Sequence, residues 1–223
     1  MDELTADECR VLGVLVEKAF TTPDQYPLTL NAVVNGCNQK NNRDPITSID
    51  ETRAFDALES LRAKKLVIRA DMAGSRANKY KHTANDALHV RAGELAVLAE
   101  LLLRGPQTLG EIRGRASRMH PLESLDLVKN MLEALMQREQ PLAKQIPPAP
   151  GSRAERFIQL LSPVSYPEDA AASPMASSDE PHQARSSLQE RLDALEDEVA
   201  ALRSALSKLA IAVGEPDPFN PVS

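Results

Sequence analysis

Cys9, Leu12, Val16 and Ala19 fall on one helical face, and the apolar run that contains them stops at Thr21-Thr22-Pro23. Thr5-Ala-Asp-Glu8 in front of it has the form of a capping box, in which hydroxyl and carboxylate satisfy each other's backbone amides. Leu4 and Cys9 are placed as the accompanying hydrophobic staple. Leu30, Val33, Val34 and Cys37 follow at i, i+3, i+4 and i+7, which predicts a second amphipathic helix with Cys37 on its buried face. Asn38 to Pro45 reads as a polar turn. Phe55, Leu58 and Leu61 predict a third helix from about Ser48 or Asp50 to Lys65. The period then shortens: Leu66-Val67-Ile68 reads as a strand, Ala73-Gly74-Ser75 as a turn that uses the freedom of glycine, and Ala77 to Lys81 as the returning strand.

The second half restates this order. Thr83 to Arg91 is a connection with some helical character. A strongly apolar helix over Gly93–Arg104 ends at Gly105-Pro106, and a second capping box, Thr108-Leu-Gly-Glu111, opens a short helix to about Arg118. A longer helix is predicted over Leu122–Arg138, a strand over Leu142–Ile146, a stiff tip at Pro147–Gly151 and a returning strand over Arg153–Leu161. Val11-Leu12 matches Val97-Leu98, and Thr29-Leu30 matches Thr108-Leu109. Leu58-Glu-Ser-Leu61 matches Leu132-Glu-Ala-Leu135, and Gly-Ser-Arg-Ala occurs at both 74–77 and 151–154. The offsets are 86, 79, 74 and 77 residues, in one order, as expected of a duplicated module with unequal loops.

A third helix followed by a basic hairpin is the closing half of a winged helix-turn-helix. The expected fold is therefore mainly α with small β-hairpins: a tandem winged helix-turn-helix, residues 1–86 and 87–162, plus a C-terminal coiled-coil helix. Residues 163–184, rich in Pro, Ala, Ser and acids, read as a disordered linker. Over 185–214, Leu188, Leu192, Leu195, Val199, Leu202, Leu206, Leu209 and Val213 alternate steps of four and three. Leucine at every d position, with valine at half of the a positions, predicts a parallel two-stranded coil and hence a homodimer. Gly214 and Pro216 end it, and 215–223 reads as a disordered tail.

Charge enters as a distribution. The formal net charge is −6, yet residues 1–163 carry 22 Lys and Arg against 21 Asp and Glu, so the acidity belongs to the tail. Aromatics are scarce (three Tyr, four Phe, no Trp), which argues against a base-stacking platform for single strands. No apolar run is long enough for a membrane span, and the Met-Asp-Glu start lacks a secretion signal. Together these predict a cytoplasmic protein. Cys9 and Cys37 lack metal spacing, and His82, His89, His120 and His182 are scattered. With no phosphate-cradling loop and no nucleophile elbow, the expectation is a protein without metal, cofactor or catalytic residues.

The candidate nucleic-acid contacts are Arg53, Lys64, Arg69, Arg76, Lys79 and Lys81 in the first module and Arg113, Arg115, Arg118, Arg153 and Arg156 in the second. In a winged helix the third helix enters the major groove and the wing follows phosphate, which makes Arg76, Lys79 and Lys81 phosphate contacts and Arg53 the candidate for a base edge. The bland alternative is solvated surface charge. Against duplex DNA stands the acidic start of the third helix, Asp50, Glu51, Asp56 and Glu59.

Residues 21–43, Thr-Thr-Pro-Asp-Gln-Tyr-Pro-Leu-Thr-Leu-Asn-Ala-Val-Val-Asn-Gly-Cys-Asn-Gln-Lys-Asn-Asn-Arg, resemble the signature of the YceH-like bacterial proteins. So do residues 101–120, Leu-Leu-Leu-Arg-Gly-Pro-Gln-Thr-Leu-Gly-Glu-Ile-Arg-Gly-Arg-Ala-Ser-Arg-Met-His. The resemblance spans about 4–161 and implies a tandem winged-helix fold in a family of unknown function, with no site residues to carry over. Within the first block, Asn41 and Asn42 suit a turn that satisfies its own backbone. Asn35, Gln39 and Arg43 fit either that role or hydrogen bonds to phosphate or to the neighbouring module. Two functions follow: a non-enzymatic regulator or accessory factor that binds duplex DNA, or a protein-interaction scaffold that never meets nucleic acid.

Overall fold

Capping fixes where the helices begin. The Thr5 amide donates to Glu8 Oε2 at 2.7 Å and the Glu8 amide to Thr5 Oγ1 at 3.2 Å, so α1 (Ala6–Thr21) starts with the box expected of it. Thr29 caps α2 (Leu30–Cys37), Asp50 caps α3 (Glu51–Ala63), and Ser124 caps α7 (Leu125–Met136). Each cap is worth about 1 kcal/mol. Between them lie α4 (Ala84–Leu88), α5 (Ala92–Arg104) and α6 (Leu109–Ala116), the last opened by the predicted Thr108/Glu111 box. The Ser124 cap moves the start of α7 three residues past the Leu122 that apolar spacing suggests.

The computed structural model describes residues 3–70 and 78–162. Arg76 and the Gly74–Ala77 wing tip lie outside these residues. So do the proposed linker, the heptad positions Leu188, Leu192, Leu195, Val199, Leu202, Leu206, Leu209 and Val213, and the tail. The described residues form one compact unit, and the position 86/87, where the sequence divides the modules, falls inside α4.

The architecture is mostly helical with small antiparallel sheets. β2 (Val67–Ala70) and β3 (Lys79–His82) form the first hairpin, and β5 (Ala143–Ile146) and β6 (Arg156–Gln159) the second. Each gains a third, two-residue strand absent from the sequence reading: β1 (Leu28–Thr29) on β3 and β4 (Gln107–Thr108) on β6. Both sheets therefore have the same order, β1-β3-β2 and β4-β6-β5, and the register places Leu28 opposite Tyr80 and Gln107 opposite Phe157. The element order helix, short strand, helix, helix, hairpin thus occurs twice.

α1 and α5 sit at the centre. One apolar face was expected on α1, but Val11, Leu12, Val14, Leu15 and Val16 are all fully buried, because α2 and α3 cover one side and α5 the other. α5 is buried likewise from Leu95 to Leu103. The two helices cross at Gly13, where an added Cβ would stand 3.0 Å from Leu103 Cδ2 and 3.2 Å from Leu102 Cβ. The termini of the unit meet as well, the Leu4 amide donating to the Leu161 carbonyl at 2.7 Å. Among the described residues no helix is long and apolar enough to cross a membrane.

Candidate functional site

A buried charge cluster joins the two repeats. Arg43 lies in the loop after α2, its side chain fully buried, and it uses all five of its N–H donors. Nη1 and Nη2 meet the Glu17 carboxylate of α1 at 3.1 and 2.5 Å, while the Gly36 and Asn42 carbonyls and Gln39 Oε1 accept the rest. Arg118, just past α6, closes on Glu17 from the second repeat and reaches Glu100 Oε2 of α5 at 3.1 Å. Arg104 Nη2 donates to Asn42 Oδ1 at 2.5 Å, and its Nε lies 2.9 Å from Glu100 Oε1 without hydrogen-bond alignment. Burial alone would raise the pKa of Glu17. The Arg43 and Arg118 guanidiniums more than offset it and hold the carboxyl below its ordinary value. Desolvation moves Arg104 in the opposite sense for a base, downward.

This cluster was not foreseen, and it decides two of the three open residues of the first signature block. Gln39 and Arg43 hydrogen-bond within the chain, and Asn42, adopting φ 60°, bridges to the neighbouring repeat. The signal was present: Glu100 is the one charged side chain between Leu95 and Leu103 of an otherwise apolar helix, and a buried carboxylate requires a partner.

The predicted nucleic-acid contacts fall into two groups. In the first, the cation is held within the fold. Arg53 forks onto Asp7 at 2.7 and 2.9 Å, which raises its pKa, and donates to the Ser48 carbonyl. Lys64 reaches both Glu8 oxygens, at 2.7 and 2.8 Å, and the Glu3 carbonyl. Arg113 donates to the Leu122 and Glu123 carbonyls, Arg115 pairs with Glu111 and Gln107, and Arg118 belongs to the cluster. In the second group the side chain lies on a hairpin: Arg69, Lys79 and Lys81 on β2 and β3, Arg153 in the loop between β5 and β6, and Arg156 on β6 with Nε 3.4 Å from the Pro147 carbonyl. The ten candidates among the described residues are distributed over the inter-repeat core, the helix junctions and the two hairpins.

Between third helix and hairpin each repeat carries a groove. In the first, Glu59, Arg62 and Ala63 of α3 face Val67, Ile68 and Arg69. Phe55 lies one turn earlier on the same helical stripe, 44 % exposed, and Ile68 is 40 % exposed. The outward side of α3 is acidic and apolar: Glu51, Asp56 and Glu59 stand there, and the Glu59–Arg62 contact consumes the nearest cation. In the second repeat, Lys129, Glu133 and Met136 of α7 occupy the positions equivalent to Phe55, Glu59 and Arg62. Asp126 and Leu125, the latter 45 % exposed, sit at the mouth of α7.

No activated side chain emerges from the titrating groups with resolved shifts. Burial pushes both the Cys9 and Cys37 thiols up to about 12, where the thiolate is negligible at neutral pH. His82 and Tyr26 lie ring to ring at 6.0 Å. Burial, with the adjacent Lys81 charge, lowers the His82 pKa to about 4, and its Nδ1 is buried without a hydrogen-bond partner. Among the described residues no three His, Cys, Asp or Glu side chains gather as a metal site requires.

A family profile described as protein of unknown function, DUF480, matches residues 4–152. Among similar sequences, a UPF0502 protein of Geotalea daltonii is 48 % identical over 164 residues, 74 % of either chain. Another from Geotalea uraniireducens is 44 % identical, over 88 % of this chain and 89 % of its own. One from Shewanella pealeana is 41 % identical, over 93 % and 98 %. The cluster described above draws Gly36, Gln39, Asn42 and Arg43 from one of the two blocks that carry the family resemblance, and Arg104 and Arg118 from the other.

Proposed function

The chain belongs to the DUF480 family of proteins of unknown function, and we propose that it is a non-enzymatic, cytoplasmic tandem winged-helix protein that docks other proteins. In this reading its docking surfaces are the grooves between third helix and hairpin. The observation that carries it is the outward side of α3, where Phe55 stands exposed among Glu51, Asp56 and Glu59. A helix that reads the major groove must approach phosphates, which such a face repels. An exposed aromatic among carboxylates instead suits a protein surface with apolar and basic groups. Three cations on or next to α3, Arg53, Arg62 and Lys64, are paired with Asp7, Glu59 and Glu8.

The heptads over 188–213 are the basis for dimerisation in the same proposal. Two chains would present four grooves, and the linked sites would raise the effective concentration of a second contact.

Duplex DNA is the outcome that overturns this reading. Titration of the full chain against a labelled mixed-sequence duplex at low salt is expected to give no saturable binding. Saturable binding whose affinity falls with salt as expected for several phosphate contacts would contradict it, and loss of that binding in a Lys79→Glu/Lys81→Glu variant would assign it to the first hairpin.

A further inference from the structure

The groove of the second repeat is the more apolar of the two. Leu109, Met136 and Phe157 make its apolar floor, Lys129, Glu133 and Glu155 its charged rim, and its volume is about 470 Å³. Gly110 of α6 stands at its edge.

The helix glycines of this chain are of two kinds. A Cβ added at Gly13, Gly36 or Gly93 would stand 3.0, 2.5 or 2.4 Å from Leu103, Val14 or Met131, so each of these glycines lies against a neighbouring side chain within the fold. Gly110 and Gly114, four residues apart on the exposed side of α6, would meet nothing within 4 Å. Glycine inside a helix is about 1 kcal/mol less favourable than alanine, and among the described residues no contact offsets that at either position. A backbone approaching from outside would use the space both leave.

We infer that the second-repeat groove receives an extended segment of a protein partner, one that carries a large aliphatic or aromatic side chain beside a lysine or arginine. The apolar side chain fills the floor of Leu109, Met136 and Phe157. The segment's backbone passes over Gly110 and Gly114. Charge complementarity sets its sign: among the residues that line the groove Lys129 pairs at 3.9 Å with Glu133, which leaves Glu155 as the carboxylate without a cation in the lining, and a basic side chain matches it. This inference rests on the protein-docking reading above and adds to it the chemistry of the partner.

The test screens the full chain against a displayed library of random linear peptides. Enriched peptides are expected to share an apolar anchor next to Lys or Arg. Their affinity is expected to fall at least about tenfold in Gly110→Met and in Glu155→Lys. Both positions are exposed, and an unchanged thermal midpoint or an increase in it separates blocked docking from misfolding. Failure to enrich any peptide overturns the inference, as do enriched peptides that bind Gly110→Met as tightly as the parent chain. So does self-association of the full chain that is lost in Gly110→Met, which would make a second copy the occupant. If no peptide is enriched and duplex DNA also fails to bind, only the partner chemistry is wrong. Salt-dependent duplex binding would remove the docking reading itself.

Discussion

Arg43 and Glu17 meet as a fork, two guanidinium nitrogens on two carboxylate oxygens, with 0 % and 2 % of their side chains exposed. Arg118 approaches the same carboxylate from the second repeat, so one buried glutamate is shared by a loop of the first repeat and the helix end of the other. Removing one member leaves an uncompensated buried charge, which typically destabilises by about 3–5 kcal/mol, whereas replacing an ion pair by apolar groups of similar size is often near neutral. Arg43→Met is therefore expected to lose about 3 kcal/mol, the lower end of that range, because Arg118 still faces the Glu17 carboxylate. Arg43→Met/Glu17→Met should lose much less, because Arg118 keeps Glu100. Urea denaturation of the singles and the double provides the comparison, and a double variant as unstable as the worse single would contradict this account.

The two kinds of helix glycine predict opposite signs. Gly13→Val thrusts a branched side chain into Leu103 and Leu102 at the crossing of α1 and α5, and overpacking of this kind costs about 1–3 kcal/mol or more. Gly114→Ala meets nothing and gains helix propensity, a stabilisation of up to about 1 kcal/mol. Thermal midpoints should move down for the first and up for the second.

His82 gives the fold a pH dependence of its own. The free imidazole takes a proton near pH 6.5, while in the fold burial and Lys81 delay this to about 4. Between those values the unfolded chain binds more protons, so stability rises with pH through the window and is fully gained above 6.5. The size is on the order of 3 kcal/mol at most. Glu8 and Glu17, whose carboxyls are held below 4.5, act only at lower pH. His82→Phe should flatten the profile between pH 4 and 6.5, as read by urea midpoints across that range.

The heptads make a separate prediction about mass. A chain ending at Pro163 is expected to be a folded monomer in light scattering, and the full chain a dimer. A truncated chain that stays dimeric would place the dimer contact elsewhere.

What the sequence made legible was local. Thr5/Glu8 and Thr108/Glu111 are separated by three residues and depend on nothing else, so both capping boxes stand where the pattern puts them. The hairpins were visible because each pairs neighbouring stretches, and the shared Gly-Ser-Arg-Ala marked them as copies. β1 and β4 were not visible: two residues carry no alternation, and their partners Tyr80 and Phe157 lie about fifty residues away. The charge cluster was hidden for the same reason, since Arg118 and Glu17 are 101 residues apart. Arg53 and Lys64 show the converse. Their basic character suggested nucleic-acid contacts, Arg53 at a base edge, and in the fold Asp7 and Glu8, brought beside α3 by the packing of α1, pair with them.

Photo-crosslinking from position 55 in living cells tests the central claim most directly. With p-benzoylphenylalanine in place of Phe55, at the outward side of α3, the account predicts covalent adducts with protein, absent when the same group is placed at the exposed Asp24. Adducts with nucleic acid, or equal adducts from both positions, would contradict it.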